Sequence, residues 1–240
     1  MKTIITHLCI LVSLIAFTAS AAPRDKKIKP EKPDMEAIKA SVTDPNSKFY
    51  YPRLMAEYEK NDTALQLEAY RHLYYGYIFQ EDYDPYRKTA YSQKVSELYE
   101  RNKHTRAECD TIIKYAELSL KDNPFDLQQI NYLIYALREK KKIHLANIWQ
   151  YKLNHILQAI VSSGTGINPE NAWYVVIPSN EYHIINFMGY QVTRQEFEKP
   201  YFDHIFVTKT DSSKKTDKDP EAFYFNIEDI LREYNRKNPE

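Results

Sequence analysis

The chain has little cysteine and little glycine. Of 240 residues only two are cysteine, and Cys9 lies in an N-terminal segment that we expect to be removed on export. Cys109 would then be alone, so no disulfide can form within the chain and the fold must depend on a packed core. Four glycines against 21 tyrosines disfavour a turn-rich all-β sandwich and favour a mostly helical protein with short connections.

The sequence also lacks an excess of charge of either sign, because 33 Lys and Arg residues balance 33 Asp and Glu residues. Binding to nucleic acid or to anionic lipid depends on clustered basic side chains. The longest basic run, residues 138–142, falls where a helix end is predicted, a position that suits cations. We therefore expect no nucleic-acid partner.

One long apolar run is present, from Ile4 to Phe17, with Lys2 before it and the small residues of Ala19-Ser20-Ala21 after it. The run is shorter than the roughly 20 apolar residues that a membrane-spanning helix needs. Cys9 lies inside the run and not at its end, where a lipid-attachment cysteine would be. The pattern predicts a signal peptide over residues 1–21 and an exported protein, periplasmic or secreted, with no transmembrane segment after cleavage.

The rest of the chain divides into three parts. Residues 22–33 are charged and contain prolines, which predicts a flexible linker. Residues 34–166 show helical periodicity and are predicted to form a repeat-like helical domain. Residues 167–240 contain three short runs rich in β-branched and aromatic residues. They predict a small α+β region, with a sheet of three or four strands packed on the helices.

The clearest helical signals lie between residues 105 and 161. Thr105 and Glu108 form a capping-box pattern, and Cys109 begins the apolar stripe that follows, so we interpret this cysteine as buried and not catalytic. A turn at Asn123-Pro124 leads to a second helix, and a long helix is predicted over residues 143–161. The spacing resembles a tetratricopeptide-type repeat. The predicted fold is mainly α, α+β: a tetratricopeptide-like helix-pair stack followed by the small sheet.

The segment "YRHLYYGYIFQEDYDPY", residues 70–86, has two interpretations. If a helix runs from residue 67 to residue 80, its aromatic side chains form two stripes, which favours burial between neighbouring helices. The alternative is a surface on which a ligand stacks. The candidate ligand-binding residues, from this segment and from the first predicted strand, are Tyr74, Tyr75, Tyr83, Tyr86 and Trp173.

No motif of the sequence assigns a catalytic residue. "SSGTG", residues 162–166, follows a helix and has no lysine after it, so we interpret it as a helix end and turn and not as a phosphate loop. Asp203 and His204 are neighbours on a predicted strand, and their side chains would point to opposite faces. The histidines show no metal-ligand spacing. We expect no cofactor and no metal, and the sequence leaves enzymatic activity open while disfavouring it.

From Asp34 to Tyr234 the sequence resembles a family of small secreted bacterial proteins known as a domain of unknown function. The segments that carry the resemblance are "DPNSKFYYPRLM", "YRHLYYGYIFQEDYDPY", "YAELSLKDNPFDLQQINYL", "SSGTG" and "FYFNIEDIL". The resemblance implies export by a bacterium and a helical, repeat-like body. It implies no activity.

Three functions are compatible with these patterns. The first, which we favour, is an exported, non-enzymatic helical-repeat protein that binds or scaffolds a protein or peptide partner through the concave side of its helix stack. The second is a carbohydrate-binding accessory protein that uses exposed Tyr and Trp rings. The third is a hydrolase, which should show a pocket containing a titratable group with a strongly shifted pKa.

Overall fold

The structure, a computed structural model, describes residues 29–214, 216–217 and 219–238. The predicted signal peptide and most of the predicted linker lie outside these residues. Within them the chain forms ten α-helices and one four-stranded sheet, which confirms the predicted mainly α, α+β class. No helix in the described ranges is long and apolar enough to cross a membrane.

The helices account for most of the chain and are numbered in chain order. They are α1 (Met35–Thr43), α2 (Tyr51–Glu59), α3 (Leu67–Gly76), α4 (Ala90–Gln93), α5 (Ser96–Tyr99), α6 (Arg106–Asp122), α7 (Leu127–Glu139), α8 (Ile143–Val161), α9 (Ser179–Phe187) and α10 (Glu228–Lys237).

Side-chain caps explain where several helices begin. The Asp34 carboxylate accepts a hydrogen bond from the first turn of α1, and Asp126 does the same for α7. Thr105 and Glu108 form the predicted capping box at the start of α6, in which each side chain bonds the backbone N–H of the other residue. These bonds satisfy N–H groups that have no partner within a helix, so the boundaries are set locally.

The helices α6, α7 and α8 pack as consecutive neighbours, as the repeat-like pattern predicts. The next layer does not follow chain order, because α3 packs on α8, and α1 and α2 pack on α3. α3 ends at Gly76, earlier than predicted, and continues as a 3-10 turn over Tyr77–Phe79. A Cβ atom at Gly76 would lie 2.7 Å from the Val42 side chain, so this glycine permits the close approach of α1.

The sheet has the strand order β1-β4-β3-β2, where β1 is Trp173–Tyr174, β2 is Tyr190–Glu198, β3 is Phe202–Lys209 and β4 is Ala222–Asn226. β1 pairs with β4 in parallel, and the other pairs are antiparallel. β2 was not predicted from the sequence. A bulge between Val192 and Arg194 shifts its register and breaks the alternation of apolar and polar residues that identifies a strand.

One hydrophobic core joins the helical part and the sheet region. It also holds the start of the described chain, because the buried guanidinium of Arg71 donates hydrogen bonds to the Glu31 carbonyl, at 3.0 Å, and to Ser162 Oγ, at 2.7 Å. The Glu31 N–H in turn donates to the Ser162 carbonyl. The docked part of the chain therefore extends N-terminal of the predicted boundary at residue 34, since a buried guanidinium needs acceptors.

Candidate functional site

The structure places four of the five candidate ligand-binding residues in the core. Tyr74, Tyr75, Tyr83 and Trp173 are buried, and of the five only Tyr86 exposes a large part of its ring to solvent. A ring enclosed on both faces by other side chains offers no surface to a ligand. The ligand-binding prediction therefore now depends on Tyr86, which lies after the 3-10 turn and before α4.

The buried tyrosines join the helices to the segment around β1. Tyr83 Oη donates to the Val176 carbonyl at 2.6 Å, and Tyr75 Oη donates to the Ala159 carbonyl at 3.0 Å. Tyr74 Oη accepts hydrogen bonds from the Val176 N–H and from the Asn180 side chain. These bonds satisfy backbone groups that have no partner in helix or sheet, so the hydroxyls have a structural role.

The "SSGTG" segment is a helix end followed by a tight turn, as predicted. The N–H groups of Thr165 and Gly166 both donate to the Asn171 carbonyl, at 2.9 and 2.8 Å. Trp173 Nε1 donates to the Gly164 carbonyl. Because these backbone donors point at a carbonyl of the same chain, they do not form the anion cradle of a phosphate loop.

Tyr86 belongs to a group of exposed aromatic side chains that we call the Tyr86 surface. Its members are Tyr86, 51% exposed, Tyr182, 38%, Phe197, 52%, and Tyr234, 43%. The rings of Tyr86 and Tyr234 meet edge to face with their centroids 5.6 Å apart. The group draws on the loop before α4, on α9, on β2 and on α10, so only the folded chain assembles it.

Two buried carboxyl groups lie against this surface. Asp203 on β3 is opposite Phe197 in the antiparallel register, and paired residues project from the same face of a sheet. Glu181 lies in the first turn of α9, next to Tyr182, whose hydroxyl donates to the Gln195 side chain. Glu181 and Asp203 therefore each lie next to a member of the Tyr86 surface, Tyr182 on α9 and Phe197 on β2.

Glu181 is fully buried, and burial raises its pKa well above the usual range. The neighbouring Asp203 carboxyl raises the pKa of Glu181 further. No group among the described residues donates a hydrogen bond to either Glu181 carboxyl oxygen, and the Asp203 carboxyl is the neighbour with which Glu181 can share a proton. The raised pKa favours a protonated Glu181 near neutral pH.

Burial also raises the pKa of Asp203, although the side chains of Gln195 and Glu181 oppose this effect. No basic side chain in the described part of the chain contributes to the pKa of either acid. The exposed tyrosines respond to the pair: burial, followed by the charges of Asp203 and Glu181, raises the pKa of Tyr86 and that of Tyr182. The site thus combines two buried carboxyl groups, which have no basic partner among the described residues, with exposed aromatic rings.

Sequence reasoning missed this carboxyl pair. In the sequence, Glu181 looks like an ordinary acid in the first turn of a helix, and Asp203 stands out only as the neighbour of His204. The opposite orientation predicted for Asp203 and His204 agrees with the structure, where His204 stacks on Tyr224 outside the core. Only the unpredicted strand β2 and the packing of α9 bring Glu181 and Asp203 together, and no spacing in the sequence indicates it.

A second unusual group is Lys152 on α8, which is only 2% exposed. Its Nζ lies 4.2 Å from the ring centroid of Tyr58 and 4.2 Å from that of Trp149. Burial lowers the pKa of Lys152 to about 8, and the Glu59 carboxylate opposes this shift. The ring faces replace a carboxylate as the partner of this ammonium group, so the cluster is satisfied internally.

The fold and the site define a mainly α protein with a small mixed sheet and a buried acid pair beneath exposed aromatic rings. The family model described as "Domain of unknown function (DUF4919)" matches residues 36–236, and the chain belongs to this family. The match confirms the resemblance drawn from the sequence to a family of unknown function. No curated protein and no solved structure was found to match the chain.

Proposed function

We propose that this chain is a binding protein that takes a protein or peptide partner on the Tyr86 surface. The observation that carries the proposal is a group of four large aromatic side chains, each more than a third exposed, in which Tyr86 contacts Tyr234, Phe197 is paired with Asp203, and Tyr86 and Tyr182 are both influenced by the Glu181–Asp203 pair. Aromatic side chains dominate the energetics of protein interfaces because they bury a large apolar area with few rotatable bonds.

The proposal moves the partner away from the concave side of the helix stack, where the sequence-based hypothesis had placed it. In the stack, α8 packs on α3 and β1, and α7 packs on α9. The tyrosines of α3 that could have lined the stack are core residues. The Tyr86 surface supports a partner better, since its rings are open to solvent.

The geometry gives less support to a glycan. A sugar ring stacks on a flat aromatic face, and several sugars require rings that lie side by side. Here the rings of Tyr86 and Tyr234 meet edge to face at 84°, so they do not lie side by side, and the stacked rings of His204 and Tyr224 cover each other's faces. Trp173 is buried and Trp149 packs over Lys152.

A hydrolase has one specific observation in its favour, the two neighbouring carboxyl groups with raised pKa values. Such a mechanism needs one acid and one base in contact with substrate or water. Both Glu181 carboxyl oxygens are enclosed by protein atoms, so this group is not in contact with substrate or bulk water.

A selection from a library of displayed random peptides tests the proposal. The purified chain is the bait, and the comparison variant carries Tyr86→Ser and Phe197→Ser, two exposed positions whose change should leave the fold intact. We expect the wild type to enrich a recurring peptide motif and the double variant to lose this enrichment. The control carries Ile143→Ser and Leu145→Ser, two exposed apolar residues at the start of α8.

The control should enrich the same peptides as the wild type. Equal enrichment on the Tyr86→Ser/Phe197→Ser variant would move the site elsewhere, and an absence of any enriched motif would contradict peptide binding. The same variants on a glycan array separate the second function from the first, because loss of glycan binding in the Tyr86 variant would favour a carbohydrate ligand.

We also propose that the protein works outside the cytoplasm, on the strength of the apolar run and small-residue site within residues 1–21. Mass spectrometry of the protein from its native host checks this. We expect a mature N-terminus at Ala22 and recovery from the periplasm or the medium. An intact N-terminus in the cytoplasmic fraction would contradict export.

A further inference from the structure

We propose that the free edge of β2 pairs with the same edge of a second copy of this chain, in an antiparallel register centred on Gln195, so that the two sheets become continuous. The inference goes beyond the proposed peptide binding, because the partner here is the chain itself. An open strand edge, the direction of its backbone groups and a charge pattern that is complementary to itself support the pairing.

β2 is an edge strand. The strand order β1-β4-β3-β2 gives it a single neighbour, β3, and leaves its other side open. The side chains of residues 193–198 are all exposed. The backbone groups of these residues bond no described part of the chain other than β3. Unpaired N–H and C=O groups along a strand edge can form a ladder with another strand.

The backbone of β3 shows which groups of β2 face the open edge. The Val207 N–H donates to the carbonyl of the residue that precedes β4, and successive residues of a central antiparallel strand bond its two neighbours in turn. Ile205 and Asp203, in step with Val207, therefore direct their backbone groups to β4. Their partners on β2 are Gln195 and Phe197, whose N–H and C=O groups consequently face the open edge.

The charges of β2 select one symmetric register. When Gln195 lies opposite Gln195 of the second copy, Arg194 of each chain lies opposite Glu196 of the other. Centring the pair on Arg194 or on Glu196 places like charges opposite each other. Centring it on Phe197 places Glu196 opposite Glu198. Because opposite charges stabilise a cross-strand pair and like charges destabilise it, the edge favours the Gln195 register and opposes its neighbours.

Side chains on both faces of β2 are already positioned for this pairing. Arg194 lies over an aromatic ring of β3, 3.9 Å from its centroid, and forms an ion pair with Glu196. On the other face, the Tyr182 hydroxyl donates to the Gln195 side chain. Phe197, 52% exposed, would lie diagonally across from Gln195 of the second copy, within reach of the Tyr182 ring there. Pairing would thus join four charges on one face and cover exposed rings on the other.

The bulge of β2 limits the length of the paired segment. The register shifts between Val192 and Arg194, so the alternation of the two faces does not continue past this point. Residues 193–197 remain, which is about the length of an ordinary strand. We therefore expect a reversible dimer in equilibrium with the monomer.

Charge reversal tests the register. Self-association of the full mature chain is measured by sedimentation velocity over a range of concentrations. Arg194→Glu makes the paired segment acidic and Glu196→Arg makes it basic, and both positions are exposed, so the fold should be unaffected. We expect each variant alone to self-associate at least about 10-fold more weakly than the wild type, because like charges then face each other at both pairs.

Mixing and combining the substitutions should restore the association. An equal mixture of the Arg194→Glu and Glu196→Arg chains should form a heterodimer, since an acidic edge then lies opposite a basic one. The double variant Arg194→Glu/Glu196→Arg carries the same pattern with its signs exchanged and should dimerise as the wild type does. The control is Lys114→Glu, at an exposed position of α6, which should leave the association unchanged.

Amide hydrogen exchange followed by NMR locates the contact. We expect the Gln195 and Phe197 N–H groups to exchange slowly in the wild-type dimer and rapidly in the Arg194→Glu variant, because the monomer leaves them open to water. Rapid exchange of both groups in a wild-type dimer would overturn the inference.

The inference also fails if the wild type stays monomeric up to about 1 mM, or if its dimer is unaffected by both charge reversals. These results would leave the proposed peptide binding intact, because the peptide selection measures it separately. Conversely, a dimer that selects no peptide would contradict the binding function alone.

Discussion

At the scale of single residues, two groups of tyrosine hydroxyls in the core differ in their hydrogen-bond partners. One group donates to backbone carbonyls, as Tyr58 does to Pro124 and Tyr83 to Val176. In the other group the hydroxyls are buried and unpartnered among the described residues, as at Tyr51, Tyr70 and Tyr77. The same side chain therefore stabilises the fold at one position and carries a desolvation cost at another.

This difference predicts opposite effects of one substitution. Tyr83→Phe removes a buried hydrogen bond of 2.6 Å and leaves the Val176 carbonyl without its donor, so we expect the free energy of unfolding to fall by about 1–3 kcal/mol. Tyr70→Phe removes a hydroxyl that has no partner, so we expect no loss of stability or a small gain. Chemical denaturation of both variants measures this, and equal losses at the two positions would contradict the assignment.

Lys152 predicts a pH dependence. Its pKa of about 8 lies below the usual value of a lysine, so between pH 8 and about 10.4 the unfolded chain binds a proton that the folded chain releases. Stability should therefore rise with pH through this window. Lys152→Met keeps the apolar stem and removes the charge. We expect its free energy of unfolding at pH 7 to be higher than that of the wild type by about 1–3 kcal/mol.

The stability difference between Lys152→Met and the wild type, measured by denaturation at pH 7 and pH 9.5, is the informative quantity, because contributions of groups unaffected by the change cancel. We expect the difference to shrink at pH 9.5, by at most about 1.4 kcal/mol per pH unit above pH 8. Lys121→Met, at an exposed position of α6, serves as the control with no such trend. A constant difference would show that Lys152 is not buried as a charge.

At the scale of elements, replacing two glycines that have the same backbone conformation should reduce stability by different amounts. Gly166 has φ +71° and a Cβ there would lie 2.8 Å from the Trp173 ring, whereas Gly189 has φ +79° and open space around it. Gly189→Ala should cost only the backbone strain of a left-handed residue, about 1–2 kcal/mol. Gly166→Ala adds a clash with a buried ring, so its melting temperature should fall clearly further than that of Gly189→Ala. Equal losses would contradict the packing of Trp173 on this turn.

Elements that depend on residues close together in the sequence could be predicted from the sequence. α8 covers residues 143–161, as its periodicity indicated, and the capping box of α6 and the burial of Cys109 are present. Asp34 starts α1 as expected. Each of these features depends on residues within one or two helical turns of each other, so a single segment contains the whole signal.

Features that depend on distant contacts were not predictable in this way. β2 has a bulge at its centre and exposed polar side chains along most of its length, which hides the alternation of a strand. α3 packs on α8, which is distant in the sequence, as well as on α1 and α2. Four of the five candidate binding residues are buried by partners that the sequence does not identify, and the Glu181–Asp203 pair exists only because α9 packs on β2, which pairs with β3.

At the scale of the molecule, the core does not stop at the predicted boundary after residue 166. Tyr74, Tyr75 and Tyr83 of the helical part bond to groups around β1 and α8, and Trp173 packs on Phe223 within the same core. A shared core and shared hydrogen bonds couple the two parts energetically.

This coupling predicts a single unfolding transition. Trp149→Phe leaves Trp173, in the sheet region, as the only tryptophan. Its fluorescence should follow the same denaturation curve as far-UV circular dichroism, which reports mainly on the helices. Two separate midpoints would contradict a common core and would show that the parts unfold independently.

The hydrogen–deuterium exchange footprint of the most enriched selected peptide on the full mature chain shows directly where the partner binds. We predict slower exchange around Tyr86, along α9 and in the second half of β2, with α6 unchanged. Slower exchange confined to α6, α7 and α8, with no change around Tyr86, would place the partner on the helix stack and contradict binding at the Tyr86 surface.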